Sequence, residues 1–320
     1  MPCLDGQISR MLRVLVTGAS GFLGRAIVPA LGLRHEVHAA ARYPISVPAG
    51  VRWVESPDMG ADANWSALLR DIDVVVHLAA IAHVPVGSGS KAAQRLDAVN
   101  VRGTECLASQ AAKAGVRRFV FMSSIKAAGD YSTACALRPE MPPLPQDAYG
   151  RAKLMAERTL NGIASASKLE VVILRPPMVY GPNSKGNFAL LVKWVRRGLP
   201  LPFGSISNQR SVVSVWNLAE VVDRCVDADV AGYTFHVADQ HAVSTRDLVD
   251  YIARGLGVPT RLINISPSAI RLCLRAAGRT DLARRFLDSL EVDGRLTNSL
   301  LSWRPEYSTE ESIARAVQQS

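Results

Sequence analysis

The sequence predicts an α/β protein: a Rossmann-like, doubly wound parallel sheet with a smaller, mostly α-helical C-terminal lobe. Short apolar runs alternate with segments long enough for crossover helices, an alternation typical of parallel sheets. The first run leads into a glycine-rich turn that opens a helical pattern. The runs that predict the sheet are 12–17, 36–41, 51–54, 73–78, 117–123 and 170–175.

The glycine turn follows the first strand directly, and its glycines have the spacing Gly-x-x-Gly-x-x-Gly before a helix predicted over Arg25–Leu31. Glycine permits backbone conformations closed to other residues and a close approach of the chain to a pyrophosphate. The phosphate then meets the positive end of the helix dipole. The turn therefore predicts a dinucleotide site, formed by Gly18, Ser20, Gly21, Phe22, Leu23 and Gly24.

The rhythm of the chain changes after Arg175, where prolines and glycines separate short helical and irregular pieces. This change predicts two functional units. We expect a dinucleotide-binding domain over residues 1–175, with later returns near 211–238, and a substrate-binding lobe over 176–210 and 239–320.

Further elements are predicted on either side of that boundary. Residues 212–216 and 233–237 have the composition of short strands, which we expect to return the chain to the sheet. Helical spacing over Lys91–Ala114 and over Tyr149–Ile163 predicts two crossover helices that each lead into the next strand.

Length and composition exclude several classes of protein. With 320 residues, 48% of them hydrophobic, the chain can bury a sizeable core together with a second lobe. It contains no run of about eighteen apolar residues and no signal-peptide pattern at its start, so we expect a cytoplasmic protein without stable membrane insertion. Five cysteines without metal-like spacing predict reduced thiols and no metal site.

The net charge of +9 favours anionic partners without choosing among them. Much of the excess lies in residues 271–285, which could form a basic surface for membrane contact. We interpret the stretch as a solvated helical face instead, because Gly278 interrupts its pattern. The sequence has no RNA-binding aromatic motif or zinc-finger spacing, so no nucleic-acid partner is expected.

The second strand predicts which dinucleotide is bound. In folds of this class that bind NAD, an acidic residue at the end of this strand accepts hydrogen bonds from ribose hydroxyls. Here Ala41 takes that position and Arg42 follows, whose guanidinium can bind a 2′-phosphate. We therefore expect NADP(H) to be favoured, with NAD(H) as the alternative if Arg42 is only a surface charge. Asp58, next to Met59, is a candidate partner for the adenine amine or simply a turn residue.

The fourth strand ends in small residues, which leave room for a cofactor across its carboxyl end. We expect Leu78, Ala79 and Ala80 to contact the cofactor there. His83 lies just beyond, where it could face a substrate; a structural or solvent-facing histidine is the alternative.

The candidate catalytic residues are Ser124, Tyr149 and Lys153. The fifth strand ends in hydroxyls that include Ser124, and a helix preceded by a possible cap, Asp147, begins at Tyr149. Tyr149 and Lys153 are four residues apart, which places both on one helix face. The lysine ammonium, aided by a positively charged nicotinamide, is therefore expected to lower the pKa of Tyr149 from about 10 towards 7, while Ser124 binds the reacting oxygen.

These motifs together resemble the extended short-chain dehydrogenase/reductase family, which contains nucleotide-sugar epimerases, dehydratases and reductases. The resemblance covers nearly the whole chain and rests on segments in the family's order: 17–24, 77–80, 100–104, 123–124, 149–153 and 175–182. It implies that Ser124, Tyr149 and Lys153 are catalytic, that Asn100 and Pro176 lie beside the cofactor, and that the protein is a homodimer. It also implies that Asn187 and Arg210 hold the diphosphate of a UDP-sugar; for Arg210 a surface salt bridge is the alternative.

Departures from the family pattern narrow the expected reaction. Family members that dehydrate sugars carry an Asp-Glu pair after the catalytic serine or threonine, whereas this chain has Ile125 and Lys126, so dehydration is not expected. Ala41 and Arg42 suit an exchangeable NADPH and thus a reductase. The chain most resembles reductases that convert UDP-2-acetamido-2,6-dideoxy-4-ketohexose to UDP-N-acetylquinovosamine for surface polysaccharides, although Ile81 replaces an expected arginine.

Two other functions stay open at the level of sequence. One is an NAD-dependent 4-epimerase of UDP-glucose or UDP-N-acetylglucosamine, which would retain its cofactor and need no added reductant. The other is a non-catalytic dinucleotide sensor that uses the same fold to regulate a partner.

Overall fold

A computed structural model describes residues 11–82, 89–133 and 135–320. Its main sheet has seven parallel strands in the order β3-β2-β1-β4-β5-β6-β9, so the predicted doubly wound α/β fold is confirmed. The strands are β1 Arg13–Thr17, β2 Glu36–Ala41, β3 Val51–Glu55, β4 Val74–His77, β5 Arg118–Met122, β6 Glu170–Arg175, β7 Met178–Tyr180, β8 Val212–Ser214 and β9 Thr234–His236.

Helices fill the connections and form most of the C-terminal lobe. They are α1 Gly24–Leu31, α2 Gly89–Leu96, α3 Gly103–Lys113, α4 Ala148–Ser165, α5 Asn187–Arg196, α6 Val215–Asp227, α7 Thr245–Leu256, α8 Pro267–Ala276, α9 Thr280–Leu287, α10 Arg295–Leu300 and α11 Thr309–Gln318. A π-helical turn over Asp97–Arg102 separates α2 from α3, and a short 3-10 turn covers Ile125–Ala127.

The sheet is buried on both faces, as parallel sheets are. Alternate side chains of β1 divide between two apolar cores: Val14 and Val16 belong to the core that also contains residues of α1 and α6, and Leu15 to the core that contains residues of α3 and α4. A continuous apolar strand sequence follows from this arrangement, since neither face of the strand is exposed to water.

One of the two predicted returns to the sheet is confirmed and the other is wrong. β9 pairs with β6 at the edge of the main sheet. β8 instead pairs with β7 in a separate two-stranded sheet. Pro176 and Pro177 separate β6 from β7 and lack the N–H groups that a continued ladder needs.

The basic segment 271–285 forms parts of two exposed helices, and the predicted solvated helical face is confirmed. Gly278, with a φ of +65°, lies just beyond the end of α8. Arg271 pairs with Asp288 at 2.6 Å, so part of the positive charge is balanced locally. Within the described ranges, no helix is long and apolar enough to cross a membrane.

Candidate active site

The candidate site lies at the carboxyl edge of the main sheet. Register places Thr17 at the end of β1 beside His77 at the end of β4, and His77 beside Phe121 of β5. The glycine turn, the loop after β4 and the turn that carries Ser124 therefore leave the sheet at one edge. This is the edge at which doubly wound folds bind their ligands.

The glycine turn has the geometry of a phosphate-binding turn. Gly18 has a φ of +72°, and a Cβ there would lie 2.7 Å from the Ala79 nitrogen; a Cβ on Gly24 would lie 2.4 Å from the Ala19 carbonyl oxygen. Helix α1 begins after Leu23 without a side-chain cap. The N–H groups of Arg25, Ala26 and Ile27 already donate to the carbonyls of Gly21 and Leu23. A dinucleotide pyrophosphate therefore fits against the turn residues that precede them, at the positive end of the helix dipole.

The part of the predicted cofactor site that would bind the adenosine is exposed. Arg42 follows β2, and its Nη1 lies 3.3 Å from Oδ1 of Asp58; their side chains are 67% and 85% exposed. Met59 is half-buried and would contact a Cβ added to Gly103 at the start of α3. The structure thus brings Arg42 and Asp58 together, which sequence reasoning treated as separate contacts.

Asn100 fixes the loop after β4. It is buried in the π-helical turn, its Oδ1 accepts from the Ile81 N–H at 2.8 Å, and its Nδ2 donates to the Ile81 carbonyl at 2.9 Å. Leu78 and Ala79 of the same loop are half-buried and Ala80 is exposed. The backbone of Ile81, and not its side chain, is what Asn100 holds.

Sequence reasoning missed a buried hydrogen-bond chain beneath this loop. Thr17 Oγ1 lies 2.6 Å from His77 Nδ1, and His77 Nε2 lies 3.0 Å from Thr104 Oγ1, which donates to the Asn100 carbonyl. The Thr104 hydroxyl donates its proton to the Asn100 carbonyl, so Thr104 Oγ1 can only accept from His77. His77 therefore carries its proton on Nε2 and accepts from the Thr17 hydroxyl on Nδ1. Burial lowers the pKa of His77 to about 3, so the ring is a neutral structural link.

The structure brings Ser124 and Tyr149 together. Ser124 caps the 3-10 turn after β5, and Tyr149 is the second residue of α4. Burial and the Asp147 carboxylate raise the pKa of Tyr149 to about 12, while a hydrogen bond with the Ser124 hydroxyl opposes them. The pair is therefore a neutral phenol and a hydroxyl that can both contact one oxygen atom.

Lys153 lies one turn further along α4 and is only 2% exposed. Its Nζ donates to the Met122 carbonyl at 2.7 Å and lies 4.6 Å from the centre of the Phe121 ring. Burial lowers its pKa to about 7. In the protein alone, burial and the Asp147 carboxylate keep the pKa of Tyr149 high. The lowering expected from Lys153 together with a positively charged nicotinamide stays a prediction.

A second buried cluster of hydrogen bonds, which sequence reasoning missed, joins helix α4 to the sheet. The Glu157 carboxylate accepts from the Ser123 hydroxyl and from Arg175, at 2.9 Å from Nε and 2.6 Å from Nη2. Glu157 is four residues after Lys153 and so lies on the same helix face. That spacing was the available signal for a buried carboxylate on the same helix face as Lys153.

The remaining predicted residues have different surroundings. Pro176 lies against the turn that follows Ser124, since its carbonyl accepts from the Ile125 N–H at 2.9 Å. Asn187 is the half-buried first residue of α5. Arg210 is buried and donates to the Asp288 carbonyl at 2.8 Å, so it is not in a surface salt bridge; burial lowers its pKa to about 10. His83 lies outside the described residues.

Comparison with known proteins finds that the chain is similar to nucleotide-sugar enzymes. A model described as "NAD dependent epimerase/dehydratase family" matches residues 14–266. The chain is 37% identical over 310 residues to UDP-glucose 4-epimerase of Vibrio cholerae, covering 95% of this chain and 94% of that protein. It is 26% identical over 354 residues to dTDP-L-rhamnose 4-epimerase of Burkholderia thailandensis, covering 94% and 93%.

Among solved structures, MoeE5 in complex with UDP-glucose and NAD aligns with a TM-score of 0.77 at 26% identity, covering 96% of this chain and 98% of that one. UDP-glucuronic acid 4-epimerase from Bacillus cereus in complex with NAD aligns with a TM-score of 0.78 at 20% identity, over 96% of each chain. The second match supports the fold alone.

Proposed function

The chain belongs to the NAD dependent epimerase/dehydratase family, and from this premise we propose that it transfers hydride at C4 of a UDP-linked hexose, acting as a 4-epimerase. The observation that carries the proposal is the contact between Ser124 and Tyr149 beside buried Lys153, at the sheet edge that also holds the glycine turn. The relatives supply the substrate class, because several are named as 4-epimerases of nucleotide sugars.

In this mechanism the chain's residues bind, orient and move a proton. The glycine turn and the start of α1 bind the pyrophosphate of the dinucleotide. When bound, an oxidised nicotinamide dinucleotide would supply a hydride acceptor for C4 and positive charge near Tyr149. Tyr149 takes the proton of the C4 hydroxyl and gives it back, and the Ser124 hydroxyl binds the same oxygen in both directions.

Lys153 acts through charge and position. Because burial brings its pKa to about 7, small changes in its surroundings decide whether it carries a charge. A charged Lys153 stabilises the Tyr149 phenolate, and its contact with the Met122 carbonyl holds it at the end of β5. Glu157, four residues away, favours the charged form.

A second function is favoured by one observation. The acidic residue that NAD-binding folds of this class carry at the end of β2 is replaced by Ala41, which precedes Arg42. This pattern favours NADPH and hence a 4-ketoreductase, for which the sequence resemblance names UDP-2-acetamido-2,6-dideoxy-4-ketohexose as substrate. Both functions use Tyr149 as the proton donor. They differ in the source of the hydride: an epimerase returns the hydride that it took from the same sugar, whereas a reductase takes it from NADPH supplied in solution.

One pair of assays separates the two functions. A 4-epimerase purifies with absorbance of a bound dinucleotide and interconverts UDP-glucose and UDP-galactose, or their N-acetyl forms, without added reductant. A 4-ketoreductase oxidises NADPH only when a UDP-4-keto sugar is supplied. Absence of both activities would favour the non-catalytic sensor. The division into two domains, the homodimer and the cytoplasmic location stay predictions.

A further inference from the structure

An ion pair outside the predicted catalytic set joins the turn that carries Ser124 to the helix that carries Tyr149. The Lys126 ammonium contacts Oδ2 of Asp147 and lies 3.2 Å from Oδ1 of Asp130. Both partners of the Lys126–Asp147 pair are partly exposed, at 41% and 42%. Ion pairs this exposed contribute little to overall stability, so a local function is the better explanation.

The backbone on both sides of this pair leads directly to the catalytic side chains. The Lys126 N–H donates to Ser124 Oγ at 3.3 Å, and the Gly150 N–H donates to Asp147 Oδ1 at 2.7 Å. One carboxylate oxygen of Asp147 thus caps α4 while the other binds the ammonium. The contact between Ser124 and Tyr149 closes a ring that includes Lys126 and Asp147.

The turn and the helix also touch directly. A Cβ added to Gly150 would lie 2.3 Å from the Lys126 carbonyl oxygen. Any residue with a side chain at that position would push the start of α4 away from the turn. The close approach brings Asp147 within reach of Lys126 and keeps Tyr149 against Ser124.

We propose that Lys126 is a positioning residue: it fixes the Ser124 hydroxyl against the Tyr149 phenol and neutralises the Asp147 carboxylate that lies two residues before the phenol. The inference rests on the hydride transfer at C4 proposed above. In this account Lys126 touches neither substrate nor cofactor and acts only through Asp147 and the turn.

The surrounding charges support this assignment. Burial opposes ionisation of Asp147, but Lys126, the Gly150 N–H and Arg151 outweigh it and lower the pKa of Asp147. Burial likewise opposes charge on Lys126, but Asp147 and Asp130 outweigh it and raise the pKa of Lys126. Both groups are therefore charged near neutral pH, and the Lys126 ammonium lies against the carboxylate that raises the pKa of Tyr149.

Two substitutions should shift the pKa of Tyr149 in opposite directions. Lys126→Met leaves Asp147 uncompensated, which raises the pKa of Tyr149; Asp147→Asn keeps a capping side chain but removes the negative charge, which lowers it. In the direction of alcohol oxidation, turnover rises with pH as Tyr149 ionises. We expect that rise to move to higher pH in Lys126→Met, to lower pH in Asp147→Asn, and to stay in place in Lys126→Arg.

We expect Lys126→Met to lower kcat about tenfold with little change in KM, and Lys126→Arg to restore most of it. Lys113→Met makes the same change at an exposed position on α3 and should leave the dependence of turnover on pH unchanged. Equal losses in Lys126→Met and Asp147→Asn without any shift of the pH profile would overturn the proposal.

A titration without substrate separates this inference from the proposed function. Tyrosinate absorbance of each variant, minus that of the same variant with Tyr149→Phe, reports the Tyr149 phenol. The pKa should fall below its value of about 12 in Asp147→Asn and rise again when Lys126→Met is added. A wild type that converts no UDP-hexose would refute the function alone, whereas a Tyr149 pKa unmoved by either change would refute the role of Lys126.

Discussion

The two ends of the predicted cofactor site are built in different ways. At the reactive end, Lys153 and Glu157 are buried, and Ser124, in the turn after β5, is hydrogen-bonded to Tyr149 at the start of α4. At the adenine end, a single ion pair between Arg42 and Asp58 stands largely exposed. If the proposed function holds, the buried core of the fold positions the groups for the chemistry, whereas a few exposed side-chain atoms decide which dinucleotide is bound.

Replacing the phenol should produce the largest effect at the reactive end. We expect Tyr149→Phe to lower turnover at least about a thousandfold, because the proton donor is lost while its apolar surroundings remain. Equilibrium binding of NAD and NADPH, followed by fluorescence, should be nearly unchanged. Turnover close to that of the wild type would remove Tyr149 from the mechanism.

The turn that links both ends should be almost as sensitive. Gly18→Ala places a Cβ 2.7 Å from the Ala79 backbone, so we expect dinucleotide affinity to fall about a hundredfold or the loop after β4 to shift. Gly50→Ala is a matched control, since Gly50 also has a positive φ, +82°, but open space around its Cβ. Equal affinity losses in the two variants would show that backbone strain, and not crowding at the turn, is responsible.

Substitution at the adenine end should change cofactor preference and leave the chemistry intact. We expect Arg42→Ala to shift the ratio of NADPH to NADH affinity about tenfold towards NADH, because one charge-assisted hydrogen bond contributes roughly 1.5–3 kcal/mol. Asp58→Asn should shift the same ratio slightly towards NADPH by releasing the guanidinium. An unchanged ratio in Arg42→Ala would make Arg42 an ordinary surface charge.

The last expected effect is on stability and not on catalysis or cofactor binding. Burial lowers the pKa of Lys153 from 10.5 to about 7, so between these values the unfolded chain binds the extra proton. The unfolding free energy should therefore rise with pH across this window, by up to about 1.4 kcal/mol per pH unit from this group. Denaturant unfolding of Lys153→Met should lack that slope. A slope equal to the wild type's would assign the pH dependence to other groups.

Local sequence patterns predicted the reactive end well. Buried strands read as continuous apolar runs, glycine spacing located the turn before α1, and Asp147 was identified as the cap of α4, where it accepts from the Gly150 N–H. The Tyr149–Lys153 spacing placed both on one helix, as observed. Each of these signals depends on neighbours within a few residues.

Contacts between distant segments could not be predicted in this way. The π-helical turn that presents Asn100 to Ile81 interrupts a segment predicted as one helix, Lys91–Ala114. The pairing of β8 with β7 and the burial of Arg210 against Asp288 depend on how the C-terminal lobe folds back. Sequence spacing also could not predict the pKa of Tyr149, because burial is the largest influence on it and depends on the folded structure.

The central claim, hydride transfer at C4, is tested most directly with UDP-glucose that carries deuterium at C4. The purified protein, without added reductant, should convert it to UDP-galactose that keeps the deuterium at C4, as detected by mass spectrometry and NMR. Conversion with loss of the deuterium, or no reaction at C4 with any UDP-hexose or UDP-4-keto sugar, would contradict the account.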